Sequence, residues 1–183
     1  MTNLYLKKEI CCPSYPVGAY GINRLNDYIE ALHEGFVDSG LYDECSKEAK
    51  KIVLWCTGSS GAICAALFIA KLPIVNVAIH HIKKSGENSH ASRIPVSYSK
   101  KDFNIVIDDF IASGKTIKRI ESAVRLNLRN KQSIVRANEF KKEGFDLLLI
   151  ASGVHFELLP MFKNIITSYA SDRVREHVNL IEL

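Results

Sequence analysis

Apolar positions near the start of the chain follow a helical period. Four of them recur every three or four residues, with acidic and amide side chains between them: Leu25, Ile29, Leu32 and Phe36. This spacing predicts an amphipathic helix that ends near the glycines at 35–40, and a second short helix is expected over 42–51.

Short apolar runs bounded by turn residues follow, and they predict the strands of a sheet. The runs cover 52–57, 74–81, 103–107 and 145–151, with shorter candidates at 94–98, 165–168 and 178–181. Helices are expected between them, at 62–71 and 116–128. Strands that alternate with helices predict an α/β fold with a mostly parallel sheet flanked by helices, and ligands bind such sheets at the edge formed by the strand C-termini.

Length and composition indicate one globular domain. The 183 residues are 47% hydrophobic and 24% charged. We expect a core at about 51–151, with the leader 1–50 and the tail 152–183 as candidates for a small hood over the site. The net charge of +4 is too small and too scattered to indicate a nucleic-acid partner. No apolar run reaches the ~18 residues that span a bilayer, and the first residues show no secretory signal, so a cytoplasmic protein is expected.

The five cysteines are expected to be free thiols. Their number is odd, they form no Cys-x-x-Cys pair, and no histidine stands near them at metal spacing. Cys56 and Cys64 lie in apolar stretches, which favours small core residues. Unpaired thiols suit a reducing compartment.

The stretch 105–116 carries the clearest chemistry in the sequence. An apolar strand delivers two adjacent acids, Asp108 and Asp109. A run of mostly small residues then opens a helix: Ala112, Ser113, Gly114, Lys115 and Thr116. Adjacent acids are costly to bury without partners, so we expect them to turn outward at the strand end and to accept hydrogen bonds from a ribose cis-diol. Because a helix N-terminus favours a phosphate, the stretch predicts a ribose 5-phosphate site.

The same stretch resembles the binding signature of type I phosphoribosyltransferases. In that signature an apolar strand, two acids, two apolar residues and a small-residue loop, Gly-Gly-Thr or Gly-Lys-Thr, follow one another. The order of the other elements extends the resemblance over roughly 51–151. It implies an enzyme that uses 5-phosphoribosyl-1-diphosphate (PRPP) with Mg²⁺. Asp108 and Asp109 would then fix the ribose as catalytic residues, and the loop 112–116 would hold the 5-phosphate.

Two further landmarks of that family have counterparts in this chain. The family's diphosphate loop corresponds to Thr57, Gly58, Ser59, Ser60 and Gly61, whose N–H groups and hydroxyls suit diphosphate oxygens. This loop lacks the basic residue that the family often has, and by itself it is also an ordinary helix N-cap region. The family's flexible loop corresponds to 83–101. Its basic residues Lys83, Lys84 and Arg93 would neutralise the leaving diphosphate.

Other interpretations of these residues stay open. The end of the signature is similar to a Walker A loop, but that motif needs a glycine where Asp109 stands. In a purely structural interpretation, the two acids cap a helix and pair with surface lysines. In the same way, 83–101 is interpreted as a solvated basic loop without a role at the site. His80 and His81 close a strand, where a structural role is the commoner one.

The nucleophile that accepts the phosphoribosyl group is left open by the sequence. The resemblance implies that a nitrogen acceptor, a nucleobase in particular, displaces diphosphate at the anomeric carbon. Ala112 stands where 6-oxopurine enzymes of the family carry an Asp, whereas Lys115 is common in that same branch. The base is normally held by the hood. Candidates there are Phe156, Tyr169, Asp172 and Arg173, although a core role for the aromatics and a solvated role for the charges is the commoner case.

Three functions compete at this point. The leading one is a Mg²⁺-dependent phosphoribosyltransferase whose metal is carried mainly by PRPP and water, so that no protein side chain is expected to ligate it. The second is a non-catalytic protein that senses PRPP or a nucleotide on the same fold, which the bare diphosphate loop and Ala112 favour. The third is a phosphate-handling hydrolase. The expected partners are PRPP and a small nitrogen base, with neither nucleic acid nor membrane, and a homodimer is frequent in the family.

Overall fold

The computed structural model describes residues 1–7, 21–47, 51–73, 76–82, 102–120, 122–123, 147–155 and 162–183. The strands are β1 (Thr2–Leu6), β2 (Ile52–Thr57), β3 (Val77–Ile82), β4 (Phe103–Ile111), β5 (Leu147–Val154), β6 (Phe162–Thr167), β7 (Tyr169–Ala170) and β8 (Val178–Glu182). The helices are α1 (Gly21–Asp38), α2 (Leu41–Lys47), α3 (Gly58–Ile69), α4 (helical at 115–120 and 122–123) and α5 (Asp172–Arg175).

Strands pair in parallel throughout the described part of the sheet. Their order is β3-β2-β4-β5-β6-β1-β8, and β7 adds a short pairing with β5. A parallel sheet is covered on both faces, so its central strands consist of unbroken apolar runs. Strand β2 (IVLWCT) is buried at every position. The predicted α/β fold, a mostly parallel sheet flanked by helices, is confirmed.

Each face of the sheet has its own apolar core, because successive strand residues point to opposite faces. On one face, Phe36 of α1 and Phe68 of α3 pack with sheet residues such as Leu54. On the other face, Ile117 of α4 and Val174 of α5 join the second core. Burial of one such side chain contributes about 1.5–3 kcal/mol. The helices that follow β2 and β4 are therefore held firmly on opposite faces.

The predicted amphipathic helix is confirmed as α1. All four of its periodic apolar residues, Leu25, Ile29, Leu32 and Phe36, are buried. The helix ends at Asp38, and Gly40 follows with a φ of 75°, a left-handed conformation that favours glycine after a helix. The second predicted helix is α2.

Several element boundaries differ from the prediction. Strand β4 continues past 107 to Ile111, because it keeps its pairing with β5. Helix α3 begins at Gly58 rather than at 62, so the predicted diphosphate loop is the first turn of a helix. The candidate strand 94–98 lies outside the described residues.

The leader and the tail both contribute strands to the central sheet. Strand β1, which was not predicted, lies between β6 and β8, with Leu4 and Leu6 fully buried. Strands β6 and β8 confirm the candidates at 165–168 and 178–181. Part of each segment expected to form the hood is thus sheet, and the hood itself stays a prediction.

Two expectations from composition concern the described residues. Among them, no helix combines the length and apolarity needed to cross a membrane. Cys56 and Cys64 are free and buried, which confirms their predicted place in the core. Burial, followed by the charge of Asp108, raises the pKa of the Cys56 thiol to about 12, and burial also raises the pKa of Cys64. Cys11 and Cys12 lie outside the described residues.

Candidate functional site

The sheet has a topological switch point between β2 and β4. From β2 the next strand in the chain, β3, is added on one side of the sheet. From β4 the next strands, β5 and β6, are added on the other side. The helices after β2 and β4 accordingly lie on opposite faces, α3 on one and α4 on the other. Crevices at such points, beyond the strand C-termini, are where open α/β sheets bind ligands.

Strands β2 and β4 separate at this point, and a cavity opens between their ends. Their pairing runs only as far as Trp55 and Val106, although β2 continues beside β3 to Thr57 and β4 continues beside β5 to Ile111. The cavity has a volume of about 110 Å³. It is lined from the β2 side by Thr57 and Ser60, and from the β4 side by Asp108, Asp109, Phe110, Ile111, Ala112, Ser113, Gly114, Lys115 and Thr116.

The acid pair lies in this cavity, but it does not turn outward as expected. Asp108 and Asp109 are each only 5% exposed, because β4 continues beyond them and keeps both inside the sheet. The Asp109 backbone N–H donates to Asp108 Oδ1 at 3.0 Å. The Thr116 side chain also forms a hydrogen bond with Asp108. No cation of the described chain pairs with Asp108, so its carboxyl group is directed to hydrogen-bond donors rather than to a salt bridge.

Burial makes Asp108 a weak acid. Desolvation first, and then the charge of Asp109, raise the pKa of its carboxyl from 3.8 to about 7. The hydrogen bonds from the Asp109 N–H and from Thr116 favour the ionised form and limit this rise. The carboxyl of Asp108 therefore changes its protonation state near neutral pH, and a ligand that donates hydrogen bonds to it would favour its ionised form.

The turn from β4 into α4 forms the wall of the cavity next to the acids. Gly114 has a φ of 66°, a conformation that L side chains rarely adopt, and its carbonyl accepts the first helical hydrogen bond from Lys118 N at 3.0 Å. Ala112, Ser113 and Lys115 are exposed around this turn. The N–H groups of the first helical turn have no helical acceptors, which suits an anion.

The turn from β2 into α3 forms the opposite wall. Gly58 has a φ of 70°, and His81 Nε2 lies 3.2 Å from its carbonyl oxygen, which gives this histidine a structural contact. Thr57 is 1% exposed, and its hydroxyl neither caps α3 nor meets another described partner. A buried hydroxyl without a partner costs about 1–3 kcal/mol. A ligand oxygen in the cavity would supply the missing partner.

Two of the five predicted diphosphate residues line the cavity, and the other three do not. Thr57 and Ser60 line the cavity, whereas Ser59 is exposed. Gly61 is buried behind the acid pair, and a Cβ built on it would lie 3.4 Å from Asp108 Oδ1. The predicted flexible-loop residues Lys83, Lys84 and Arg93 lie outside the described residues.

An aromatic column adjoins the cavity and was not predicted. The ring of His155 lies between Phe110 and Tyr169, at centroid distances of 5.0 and 4.9 Å. Phe110 itself lines the cavity. The sequence signal that could have identified Phe110 as a cavity residue was its position between the acid pair and the small-residue loop. Of the hood candidates, Tyr169 packs in this column, Asp172 and Arg173 are exposed on α5, and Phe156 lies outside the described residues.

The oxygen donors of the cavity fit magnesium chemistry. Mg²⁺ prefers carboxylate, hydroxyl, phosphate and water oxygens and keeps several waters. Two carboxylates and four hydroxyl side chains line the cavity. Within the described ranges no three His, Cys, Asp or Glu side chains cluster as a metal site. The donor set is thus compatible with a Mg²⁺ ion that enters on an anionic ligand.

Three solved structures of phosphoribosyltransferases are among those similar to this chain. No family model matches the chain, and no curated protein matches its sequence. A purine phosphoribosyltransferase from Pyrococcus horikoshii Ot3 is similar with a TM-score of 0.48 and 14% identity, over 100% of this chain and 93% of that one. A hypoxanthine-guanine phosphoribosyltransferase from Bacillus anthracis has a TM-score of 0.45 and 18% identity, over 81% of this chain and 77% of that one. A hypoxanthine-guanine phosphoribosyltransferase from Schistosoma mansoni, in complex with IMP, has a TM-score of 0.38 and 16% identity, over 91% of this chain and 83% of that one.

Proposed function

We propose that this chain is a phosphoribosyltransferase that transfers the 5-phosphoribosyl group of PRPP to a nitrogen acceptor, a nucleobase in particular, and releases diphosphate. The observation that carries the proposal is the meeting of three features in one cavity. These are a buried acid pair without a described cationic partner for Asp108, a helix N-terminus directly behind it, and an unpartnered hydroxyl on the facing wall.

The acid pair suits the ribose end of PRPP. Both carboxyl groups line the same cavity and offer acceptors to the two hydroxyls of a cis-diol, and their burial strengthens each hydrogen bond by lowering the local dielectric constant. Holding the ring fixes the anomeric carbon in line with its nucleophile and leaving group. Such positioning is a large part of the rate enhancement available to a displacement reaction.

The turn 112–116 suits the 5-phosphate. Its N–H groups and the α4 dipole favour a dianion, and the Ser113 and Thr116 hydroxyls add donors. Lys115 is exposed at the same turn and adds positive charge. Because the acids and this turn belong to one continuous segment of chain, the distance between the two subsites is set by β4 and not by a loop of variable length.

The wall formed by Thr57 and Ser60 suits the diphosphate. Donors at this wall would stabilise the negative charge that grows on the leaving group. We propose that Lys83, Lys84 and Arg93 add the charge that the diphosphate loop lacks. Mg²⁺, held by the diphosphate and water, would neutralise part of the leaving group's charge. A cytoplasmic location and a homodimer belong to the same proposal.

A second function is favoured by one observation. The β2–α3 wall contributes no cation among its described lining residues, so the site can hold PRPP without being equipped to expel diphosphate. A protein that senses PRPP or a nucleotide would need only the binding half of the site. The two functions differ in turnover and not in ligand.

The experiment that tests the proposal measures binding first and turnover second. PRPP with Mg²⁺ at one hundred times Kd contributes about 2.7 kcal/mol of stability. For a chain of this length that corresponds to a melting temperature raised by about 5–10 °C. Asp109→Asn should abolish the rise and keep the fold. Asp43→Asn, which removes an exposed acid on α2, is the matched control and should keep it.

Diphosphate release then separates the functions. Release that requires an added base supports the transferase, and a panel of nucleobases and related amines identifies the acceptor. Binding without release for any acceptor supports the sensor. Release without a base indicates a hydrolase. An unchanged rise in Asp109→Asn would remove the ribose assignment.

A further inference from the structure

The glycine at the back of the cavity lies close to the strands, and a Cβ there would be tight against Cys56 and in contact with Asp108. Gly61 lies in the first turn of α3 and is buried against β2 and β4. A Cβ at this position would stand 3.3 Å from Cys56 Cβ, 3.4 Å from Asp108 Oδ1 and 3.5 Å from the Ile107 carbonyl oxygen. Two of these three neighbours are strand atoms of the core, which yield less readily than the Asp108 carboxyl.

We propose that Gly61 is a positioning residue: it lets α3 close over the back of the acid pair and so fixes the Asp108 carboxyl toward the ligand. This inference rests on the proposed function, because the ligand it concerns is PRPP. It assigns Gly61 a role behind the acids and not a direct contact with diphosphate. Consistent with this, Gly61 is absent from the residues that line the cavity.

The surroundings of Asp108 explain why this closure matters. The titratable groups of the described chain that face it are Asp109 on β4, Cys56 on β2 and Cys64 on α3. Both thiols have raised pKa values and are neutral near pH 7. The described titratable groups of α3 and β2 that face Asp108 are therefore neutral, and Asp108 itself lines the cavity. A Cβ at residue 61 would press on Cys56 at 3.3 Å and contact Asp108 Oδ1 at 3.4 Å, so a small shift of α3 to relieve the first contact would alter the packing behind the carboxyl.

Gly61→Ala tests the proposal, and Gly35→Ala is its matched control. Gly35 is a buried helical glycine of α1 whose Cβ would meet Ile166 Cγ2 at 3.0 Å, Leu183 Cδ1 at 3.7 Å and Lys7 Cβ at 3.7 Å, away from the cavity. Both variants gain one methyl group in a tight helix–sheet contact. Only Gly61→Ala is expected to weaken PRPP–Mg²⁺ binding, by about tenfold, as measured by calorimetry.

A pH profile separates positioning from general loosening. In wild type and Gly35→Ala, PRPP affinity should rise through the ionisation of Asp108. In Gly61→Ala the midpoint should move to lower pH, because the displaced carboxyl becomes better hydrated. Equal affinity and an equal midpoint in all three proteins would overturn the proposal, and so would equal losses in both variants.

A second measurement does not depend on ligand binding. If Gly61 positions Asp108 by contact, Gly61→Ala should lower the melting temperature less in an Asp108→Ala background, where the Oδ1 contact is gone. The same loss in both backgrounds would overturn the proposal. If Gly61→Ala by itself does not fold because of the added methyl group, folding of the Gly61→Ala/Asp108→Ala double variant supports the contact between residue 61 and Asp108. Failure of the double variant to fold contradicts it. If wild type does not bind PRPP, the proposed function fails while this thermal coupling still decides the role of Gly61.

Discussion

The raised pKa of Asp108 predicts that the candidate site destabilises the fold above neutral pH. Replacing the carboxyl by its neutral isostere, in Asp108→Asn, removes the cost of ionising a group that is 5% exposed beside another acid. The amide oxygen can still accept from the Asp109 N–H. The variant should therefore be more stable than wild type at high pH and should lose PRPP binding.

The magnitude follows from the two pKa values of this carboxyl. Its folded pKa of about 7 lies above the ordinary 3.8, so the native state binds more protons than the unfolded state between these values. Wild-type stability from this group is present in full below pH 4 and is lost as the pH rises to 7. At about 1.4 kcal/mol per pKa unit, the loss between pH 5 and pH 8 is about 2–3 kcal/mol.

Denaturant unfolding at pH 5 and pH 8 measures this difference. The stability of Asp108→Asn relative to wild type should be about 2–3 kcal/mol more favourable at pH 8 than at pH 5. Asp43→Asn, at an exposed position, controls for the loss of one negative charge. A difference that is the same at both pH values, or one that reverses sign, would refute the account of Asp108 as a desolvated acid.

Three further substitutions test the cavity and the core around it. Thr57→Val removes a buried hydroxyl without a described partner, so it should raise stability by about 1 kcal/mol in denaturant unfolding and weaken PRPP binding about tenfold; tighter binding would contradict its placement toward the ligand. Gly114→Ala forces a side chain into a φ of 66° and should lower stability by about 1–2 kcal/mol, whereas an unchanged midpoint would show that the turn relaxes. Trp55→Phe removes the 3.0 Å hydrogen bond from the indole N–H to Asn104 Oδ1 and should cost about 1–3 kcal/mol; a neutral result would mean that the buried amide finds another donor.

Much of the fold could be predicted from the sequence because its signals are local. Periodic apolar residues identified α1, and the run at 52–57 identified β2 with the observed boundaries. Strand β1 was missed, although Leu4 and Leu6 alternate, because five residues at a chain end carry little pattern until β6 and β8 flank them. Strand β4 was predicted too short because acids are uncommon inside a strand.

The candidate site shows the same division between local and tertiary information. The chain itself determined that two acids, a small-residue turn and a helix start follow one another, since these are neighbours in covalent order. Only the tertiary structure decided that Thr57 faces Asp108 and Asp109 across a cavity, because that depends on where two strands stop pairing. The burial that weakens Asp108 as an acid is likewise a property of packed neighbours. No local sequence pattern specifies how much water a packed fold excludes.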